Sequence, residues 1–249
     1  MGTRAKAVVA GPPALTLLTA SIYSAYPPLI IRIHGFNISD GCEADDVKIA
    51  LGFKAHSGWA AMVAVAYIDR RLTVIDRRRV ELVEDGEAWA KQPYHAAENL
   101  PSREAAALVL RGIAAAGKVS KRRFREIIRW ADEASHEVVA CGVLVPGPMP
   151  KWTTAEILSV HFRMHKAEGV LFPAALCHAG ESKYLNVAAI PEKRLDRVAE
   201  ERLGLSLKDL MNEASTLGRA VGPPWGKDQK LATMAAMIAS GRNDQSRPC

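Results

Sequence analysis

The sequence predicts an α/β protein built on a mixed β-sheet, and three observations carry this prediction. Strand-like segments joined by short turns follow one another from Val47, which is typical of an antiparallel meander. The continuous apolar run Val138–Val145 is typical of a buried central strand. Helical and strand-like segments alternate after that run, which favours parallel pairing across helical connections.

The meander is expected to contain three strands. Val47–Phe53 and Trp59–Tyr67 are the first two, and Lys54–Gly58 is the turn between them. Leu72–Ile75 and Arg79–Val83 form a third strand that the basic cluster around Arg77 interrupts.

Helix signals follow the meander. Ser102 caps a helix predicted to run from Arg103 to Ala116, where Gly117 ends it, and Ser120 caps a second helix that runs to Ser135. A capping box formed by Thr153 and Glu156 opens a helix expected to run to about Cys177. The remaining predicted elements are a strand at 185–190 and helices at 191–203, 206–217 and 227–238.

Composition bounds the domain organisation. The chain has 249 residues, of which 49% are hydrophobic and 24% charged, as in ordinary globular proteins. Residues 46–240 are predicted to form a single α/β domain, preceded by a loosely packed extension at 1–45 and followed by a polar tail at 241–249. Four prolines break the apolar run in the extension, which excludes a membrane helix and makes a signal segment the minor alternative.

Charge and cysteine content bound the partners. The net charge of +6 permits an anionic partner, for which nucleic acid or a nucleotide is the expected class. None of the four cysteines forms a C-x-x-C pair, so a cytoplasmic protein is expected and a zinc finger is not. No membrane partner is expected, and the oligomeric state is left open.

The first candidate site lies on the helix that follows Thr153. His161, His165 and Glu168 are spaced i, i+4, i+7, which places them on one face, and the apolar residues of that face should turn it towards the core. Such a set can bind a divalent metal, act in catalysis or ligand binding without a metal, or form a buried polar cluster. His95 or His56 is the expected source of a fourth ligand.

The second candidate site is the turn after the first strand. Lys54, Ser57 and Gly58 could bind an anion, with a simple hairpin turn as the alternative. His95 could contribute a ligand or a general base. The turn around His56 is expected to face the histidine helix across a cleft at the carboxyl ends of the parallel strands.

Two basic segments could contact phosphates, or they could be ordinary solvated surface. They are Arg77-Arg78-Arg79 and Lys121-Arg122-Arg123 with Arg125.

The chain resembles the ribonuclease-H-like superfamily, on the side of the Holliday-junction resolvases. The similarity rests on Ile49–Lys54 followed by Gly58-Trp59, and on Asp228 before the alanine-rich run Leu231–Ala236. It covers residues 47–240 and implies a three-layer fold. The pattern Ser159–Gly169 is also similar to one in a group of uncharacterised bacterial proteins, which implies no activity.

The departures from this superfamily matter for function. The resemblance implies a first-strand carboxylate that binds metal, but Lys54 stands there, and an ammonium group cannot bind Mg²⁺. The favoured hypothesis is therefore a degenerate, non-catalytic domain that binds a nucleotide, nucleic acid or protein partner. The alternative is a hydrolase for a phosphoester or small anionic substrate, with a histidine-based site and a divalent metal. An actin-like phosphotransferase is least favoured, because the chain has room for one domain copy.

Overall fold

The structure is a computed structural model that describes residues 46–241. The predicted extension at 1–45 and all but the first residue of the predicted tail lie outside the described residues. The described strands are β1 (Val47–His56), β2 (Trp59–Ile68), β3 (Arg71–Glu81), β4 (His136–Val145) and β5 (Asn186–Pro191). The described α-helices are α1 (Pro93–Ala97), α2 (Ser102–Glu133), α3 (Thr154–Leu158), α4 (His161–Glu181), α5 (Leu195–Leu203), α6 (Leu207–Val221) and α7 (Lys227–Ser240). Single 3₁₀ turns at Ala88–Lys91 and Glu192–Arg194 precede α1 and α5.

The five strands form one mixed sheet in the order β3-β2-β1-β4-β5. β1, β2 and β3 pair antiparallel, whereas β4 runs parallel to β1 and β5 runs parallel to β4. The predicted α/β class and mixed sheet are therefore confirmed.

Helices cover both faces of the sheet and bury two separate cores. Because side chains alternate along a strand, Leu51 and Phe53 of β1 face the core formed with α1, α2, α3 and α4. Ala50 faces the other core, which β1 forms with α5, α6 and α7. The chain is thus arranged in three layers, and each layer of helices meets a different set of β1 side chains.

Two glycines allow α7 to lie directly on the centre of the sheet. Gly52 of β1 and Gly142 of β4 are paired across the parallel ladder. A Cβ atom at Gly52 would lie 1.9 Å from the carbonyl oxygen of Ala232, and one at Gly142 would lie 2.1 Å from that of Ala235. Any side chain at either position would therefore force α7 away from the sheet.

The helix after the meander is longer than predicted. The sequence predicts a break at Gly117, but α2 continues through this residue and has a total length of 32 residues. Gly117 keeps a right-handed conformation, and Ser120 is fully buried inside the helix instead of capping a new one. Apolar residues on both sides of the predicted break pack against the same core, so tertiary packing outweighs the helix cost of one glycine.

The histidine helix is divided where the sequence predicts continuity. The capping box is confirmed, with Glu156 N donating to Thr153 Oγ1 at 3.2 Å and Thr153 N donating to Glu156 Oε2 at 2.7 Å. The helix it opens, α3, nevertheless ends at Leu158, and Ser159 Oγ donates to the Glu156 carbonyl at 2.9 Å. This local bond competes with the helical ladder, and α4 starts afresh at His161.

The strands of the meander also differ in length from the prediction. β1 continues to His56, which pairs with Trp59, so the turn contains only Ser57 and Gly58 and Lys54 belongs to the strand. β3 is continuous through the basic cluster and pairs with β2 along its whole length, apart from a register shift at Ala64/Val65. Within residues 46–241, no helix combines the length and hydropathy needed to cross a membrane.

Candidate functional site

The candidate site is built around a buried carboxylate. Glu168 of α4 exposes only 3% of its side chain, and its Oε1 accepts a hydrogen bond from the backbone N–H of His95 at 3.1 Å. Its Oε2 lies 2.7 Å from His95 Nδ1 and 3.4 Å from Gln92 Nε2, which donates to it. Because a carboxylate can only accept, His95 carries a proton on Nδ1, and its Nε2 is the atom left to bind something else. That Nε2 is buried and has no hydrogen-bond partner within residues 46–241.

Two further histidines meet His95 at the start of α4. His161 and His165 are one turn apart, and their Nε2 atoms lie 3.0 Å from each other. The ring of His95 lies 5.1 Å from that of His161 and 4.6 Å from that of His165, measured between centroids. One nitrogen from each of the three rings lies within 4.8 Å of the other two. The structure thus brings together three of the residues singled out in the sequence.

The orientation of this cluster corrects one prediction. The sequence predicts that His161, His165 and Glu168 share a face turned towards the core, but only Glu168 is buried. His161 exposes 64% of its side chain, and His165 is exposed as well. Burial on this helix begins at Met164 and includes Glu168, whereas the rings of His161 and His165 at its start are exposed.

Glu168 also has a different place from the one expected. It was a candidate metal ligand, but it bonds to His95 and is not one of the three residues with mutually close donor atoms. Another carboxylate, Glu98, lies at the rim of the cluster, with Oε1 3.8 Å from His161 Nδ1.

His56 lies on the opposite side of the sheet from these histidines. It shares the strand face of Gly52, its ring stacks on Trp59 at 4.5 Å, and its Nε2 lies 3.0 Å from Asp228 Oδ1 of α7. His161 and His165 begin a helix that packs on the other face. The expected cleft between the histidine helix and the His56 turn is therefore not formed, because β1 runs on to His56 and alternation directs that side chain towards α7.

The other residues of the predicted anion site are engaged locally. Lys54 Nζ lies 2.5 Å from Glu192 Oε2, in an ion pair that joins the end of β1 to the turn after β5. Gly58 has φ of +85°, as a tight turn requires, and a Cβ there would lie 2.7 Å from the side chain of Lys91. Ser57 is exposed at the tip. These contacts favour the hairpin alternative for this turn.

The two basic segments of the sequence meet in space. Arg78 and Arg79 of β3 and Arg123 of α2 line one open cleft of about 230 Å³, together with Glu81 and Glu126, and Arg123 donates to Glu126 at 2.8 Å. Arg123 Nε donates to the carbonyl of Glu81 at 3.0 Å, which joins the helix to the strand. We refer to this surface as the basic cleft.

Aromatic rings and carboxylates hold the guanidinium groups of the basic cleft. Arg78 lies 4.4 Å above the ring of Trp130, and Arg79 lies 3.8 Å above that of Trp59. Arg78 pairs with Asp76, and Arg79 with Glu81. A guanidinium has five N–H donors, so one carboxylate and one stacked ring leave donors available for an anion.

Neighbouring arginines have other roles. Arg77 donates to three carbonyl groups of the loop before α7, those of Gly222, Pro223 and Pro224, at 2.6 to 2.9 Å. The hydrogen bond from Arg122 lowers the pKa of Glu84, whose two oxygens accept from this guanidinium at 2.6 and 2.9 Å. Both side chains tie surface segments together and are not free cleft donors.

Comparisons with known proteins find similarity in solved structures alone. No family model matches the chain, and no curated protein matches it. A structure described as Thermus thermophilus RuvC is 10% identical, with a TM-score of 0.43, and the match covers 76% of this chain and 91% of that one. A second, described as T. thermophilus RuvC in complex with Holliday junction substrate, is 11% identical with a TM-score of 0.41, covering 77% and 91%. At these values the likeness assigns no site and no activity.

Proposed function

We propose that this chain has a ribonuclease-H-like fold and binds an anionic ligand, the phosphate backbone of a nucleic acid, in the basic cleft. The observation that carries the proposal is that two basic segments far apart in sequence line the same cleft. The order of the strands in the sheet supports the fold assignment. The first strand of an antiparallel meander lies beside β4, and β4 and β5 run parallel to it.

The charge of α2 beside the cleft supports a polyanionic ligand. Between residues 118 and 129 this helix carries six basic residues and one acidic residue, Glu126. The basic residues are Lys118, Lys121, Arg122, Arg123, Arg125 and Arg129. Arg79 adds charge from β3 with 53% of its side chain exposed. Arg122 is engaged with Glu84, but the other cations of this helix and the arginines stacked on rings suit repeated phosphates better than a single small anion.

The proposal places no two-metal nuclease chemistry at the end of β1. In the superfamily that the chain resembles, a first-strand carboxylate binds metal. Lys54 stands at that position, and its ammonium is paired with Glu192. Two divalent cations would meet a positive charge there. Binding without carboxylate-based cleavage is therefore the function proposed for this face.

The test is the salt dependence of nucleic-acid binding, measured by fluorescence anisotropy with labelled duplex and branched DNA in the presence of EDTA. The double variant Arg79→Ala/Arg123→Ala should bind roughly ten-fold or more weakly. Its slope of log K against log salt should also be smaller by about 2, because each lost phosphate contact removes about 0.9.

Arg197→Ala is the control, because Arg197 is an exposed arginine that pairs with Glu201 of its own helix, α5, on the other face of the sheet. The control should bind like the parent protein. Equal losses in the control and in the cleft variant would contradict the proposal.

A second candidate function is hydrolysis of a phosphoester or another small anionic substrate, and the convergence of three histidines favours it. The test is Zn²⁺-dependent hydrolysis of bis-(p-nitrophenyl) phosphate. Activity should be lost in His161→Ala and kept in His178→Ala, an exposed histidine of the same helix. Equal activity of both variants would contradict it.

A further inference from the structure

We propose that His95, His161 and His165 bind one first-row transition-metal ion, with Zn²⁺ the best fit, and that Glu168 positions His95 for it. This inference goes beyond the proposed binding in the basic cleft, which needs no metal, and it deepens the second candidate function, whose hydrolysis could be absent even where the ion binds. It rests on the spacing of the three nitrogens, the state of His95 and the exposure of the site.

Two of the three donor atoms have the spacing of a metal site, and the third lies nearby. In a tetrahedral complex with Zn–N bonds of about 2.0–2.1 Å, two nitrogens lie roughly 3.3 Å apart. The Nε2 atoms of His161 and His165 are 3.0 Å apart, and His95 offers a nitrogen within 4.8 Å of both. A small closure of the site, by rotation of the exposed rings, brings all three onto one ion.

Glu168 prepares His95 to be a ligand. Metal-binding histidines usually donate their second ring N–H to a carboxylate or a carbonyl, which sets the tautomer and aims the other nitrogen. Glu168 Oε2 accepts from His95 Nδ1 at 2.7 Å, and its Oε1 holds the backbone of the same residue. A buried carboxylate is costly, and a role in fixing one imidazole accounts for it.

Hydrogen bonding inside the cluster does not satisfy all three rings. His161 and His165 can share one proton between their Nε2 atoms, but His95 Nε2 then remains buried without a partner among the described residues. An ion coordinated by one lone pair from each ring gives all three of these nitrogens, including His95 Nε2, a partner at once. The unpaired Nε2 is therefore explained by coordination and by no other group that the structure describes.

The donor set selects the class of metal. Imidazole nitrogens suit Zn²⁺, Cu²⁺, Fe²⁺ and Ni²⁺, whereas Mg²⁺ and Ca²⁺ require oxygen ligands, and none of the three groups is a carboxylate. Three protein ligands leave a fourth position, and the exposure of His161 and His165 opens it to solvent. A water molecule or an anionic ligand would occupy that position.

The experiment uses the full-length chain without a polyhistidine tag, stripped of metal with a chelator that is then removed. Zn²⁺ is titrated in competition with a chromophoric chelator, and Co²⁺ is titrated separately while its visible spectrum is recorded. One equivalent of Zn²⁺ should bind, and Co²⁺ should show the intense visible bands of a four-coordinate site.

Variants separate the ligands from the positioning residue. His161→Ala and His165→Ala should each weaken Zn²⁺ binding by about 100-fold or more, and Glu168→Gln should weaken it by about 10- to 100-fold while one equivalent still binds. His178→Ala is the control, because it removes an exposed histidine from the same helix. It should leave the affinity unchanged.

Three results would overturn the proposal: unchanged affinity in both His161→Ala and His165→Ala, an equal loss in His178→Ala, or Mg²⁺ displacing Zn²⁺ at similar concentration. The two ligand variants lie at the surface, so their folding is not at risk. Thermal melts of Glu168→Gln show whether any loss there comes from unfolding. Since the DNA-binding test is run in EDTA, failure of either proposal leaves the other standing.

Discussion

Polar side chains are arranged differently on the two faces of the sheet. On the face of α7, the strand glycines Gly52 and Gly142 allow an alanine-rich helix to pack backbone against backbone, and the polar side chains at the end of β1 form the contacts Lys54–Glu192 and His56–Asp228. On the other face, α1 and α4 enclose the carboxylate of Glu168 beneath three histidines.

This difference indicates which face of the sheet is the better candidate for an ion-binding site. On the α7 face Lys54 is paired with Glu192, and His56 Nε2, although it makes no hydrogen bond within residues 46–241, lies 3.0 Å from a carboxylate oxygen of Asp228. On the α4 face the buried carboxylate is used to orient a histidine, and a nitrogen is left without a partner. Close packing of α7 therefore leaves little space for a ligand on one face. On the other face, a buried carboxylate holds a histidine in position to bind one.

The largest effect should come from a methyl group on the closely packed face. Gly52→Ala places a Cβ against the Ala232 carbonyl and should lower the free energy of unfolding by about 3 kcal/mol, because backbone cannot move aside as a side chain can. Urea denaturation followed by circular dichroism measures this. A loss below about 1 kcal/mol would show that α7 does not lie as close as described.

The next largest effect is expected on the other face of the sheet. It distinguishes the positioning residue Glu168 from the proposed metal ligands His161 and His165. Glu168→Ala should cost about 2 kcal/mol, since two donors of His95 lose their acceptor in a buried place. His161→Ala and His165→Ala should each stay within about 0.5 kcal/mol, since both rings are exposed. Measured in EDTA by denaturation, equal costs for all three would mean that the cluster is purely structural.

A smaller effect of opposite sign is expected in α2. Gly117→Ala should raise the free energy of unfolding by about 0.5–1 kcal/mol, because the residue lies inside a helix and nothing within 4 Å meets the new methyl group. The same change from glycine to alanine is thus expected to stabilise the protein at Gly117 and to destabilise it at Gly52. Destabilisation in a thermal melt would instead favour the helix break that the sequence predicts.

For nuclease activity, no effect is expected. Neither the parent protein nor Lys54→Ala should cleave RNA–DNA hybrids or branched DNA with Mg²⁺, since an ion pair stands where a metal-binding carboxylate would be needed. A gel assay with both substrates is sufficient. Mg²⁺-dependent cleavage above that of the Lys54→Ala preparation would show that the α7 face is a catalytic site after all.

Much of the fold could be predicted, because apolar runs bounded by turn residues determine where strands lie. The central strand and the meander follow directly from such runs. The helix boundaries could not all be predicted, since they depend on tertiary contacts. Gly117 is tolerated because both halves of α2 pack on one core, and α3 ends where the side chain of Ser159 donates to the carbonyl of Glu156.

The candidate site was predicted in its residue types but not in its arrangement. The helical spacing of His161 and His165 is visible in the sequence, whereas the partner of His95 lies 73 residues away and no local signal indicates it. The position of His56 was predicted wrongly because β1 continues past Phe53 for three more pairs with β2, the last of them His56 with Trp59, and this sets the direction of its side chain. Gln92 and Glu192 were missed altogether, as each acts through a single long-range contact.

The position of β3 has a consequence for self-association. It is an edge of the sheet, with β2 as its neighbour among the described strands, and an edge strand is a template for pairing with another chain. Four arginines on this strand, Arg71, Arg77, Arg78 and Arg79, oppose such pairing by repulsion between copies. A polyanion bound in the basic cleft would neutralise the two of these arginines that line it, Arg78 and Arg79, and would thereby weaken the barrier to edge-to-edge pairing.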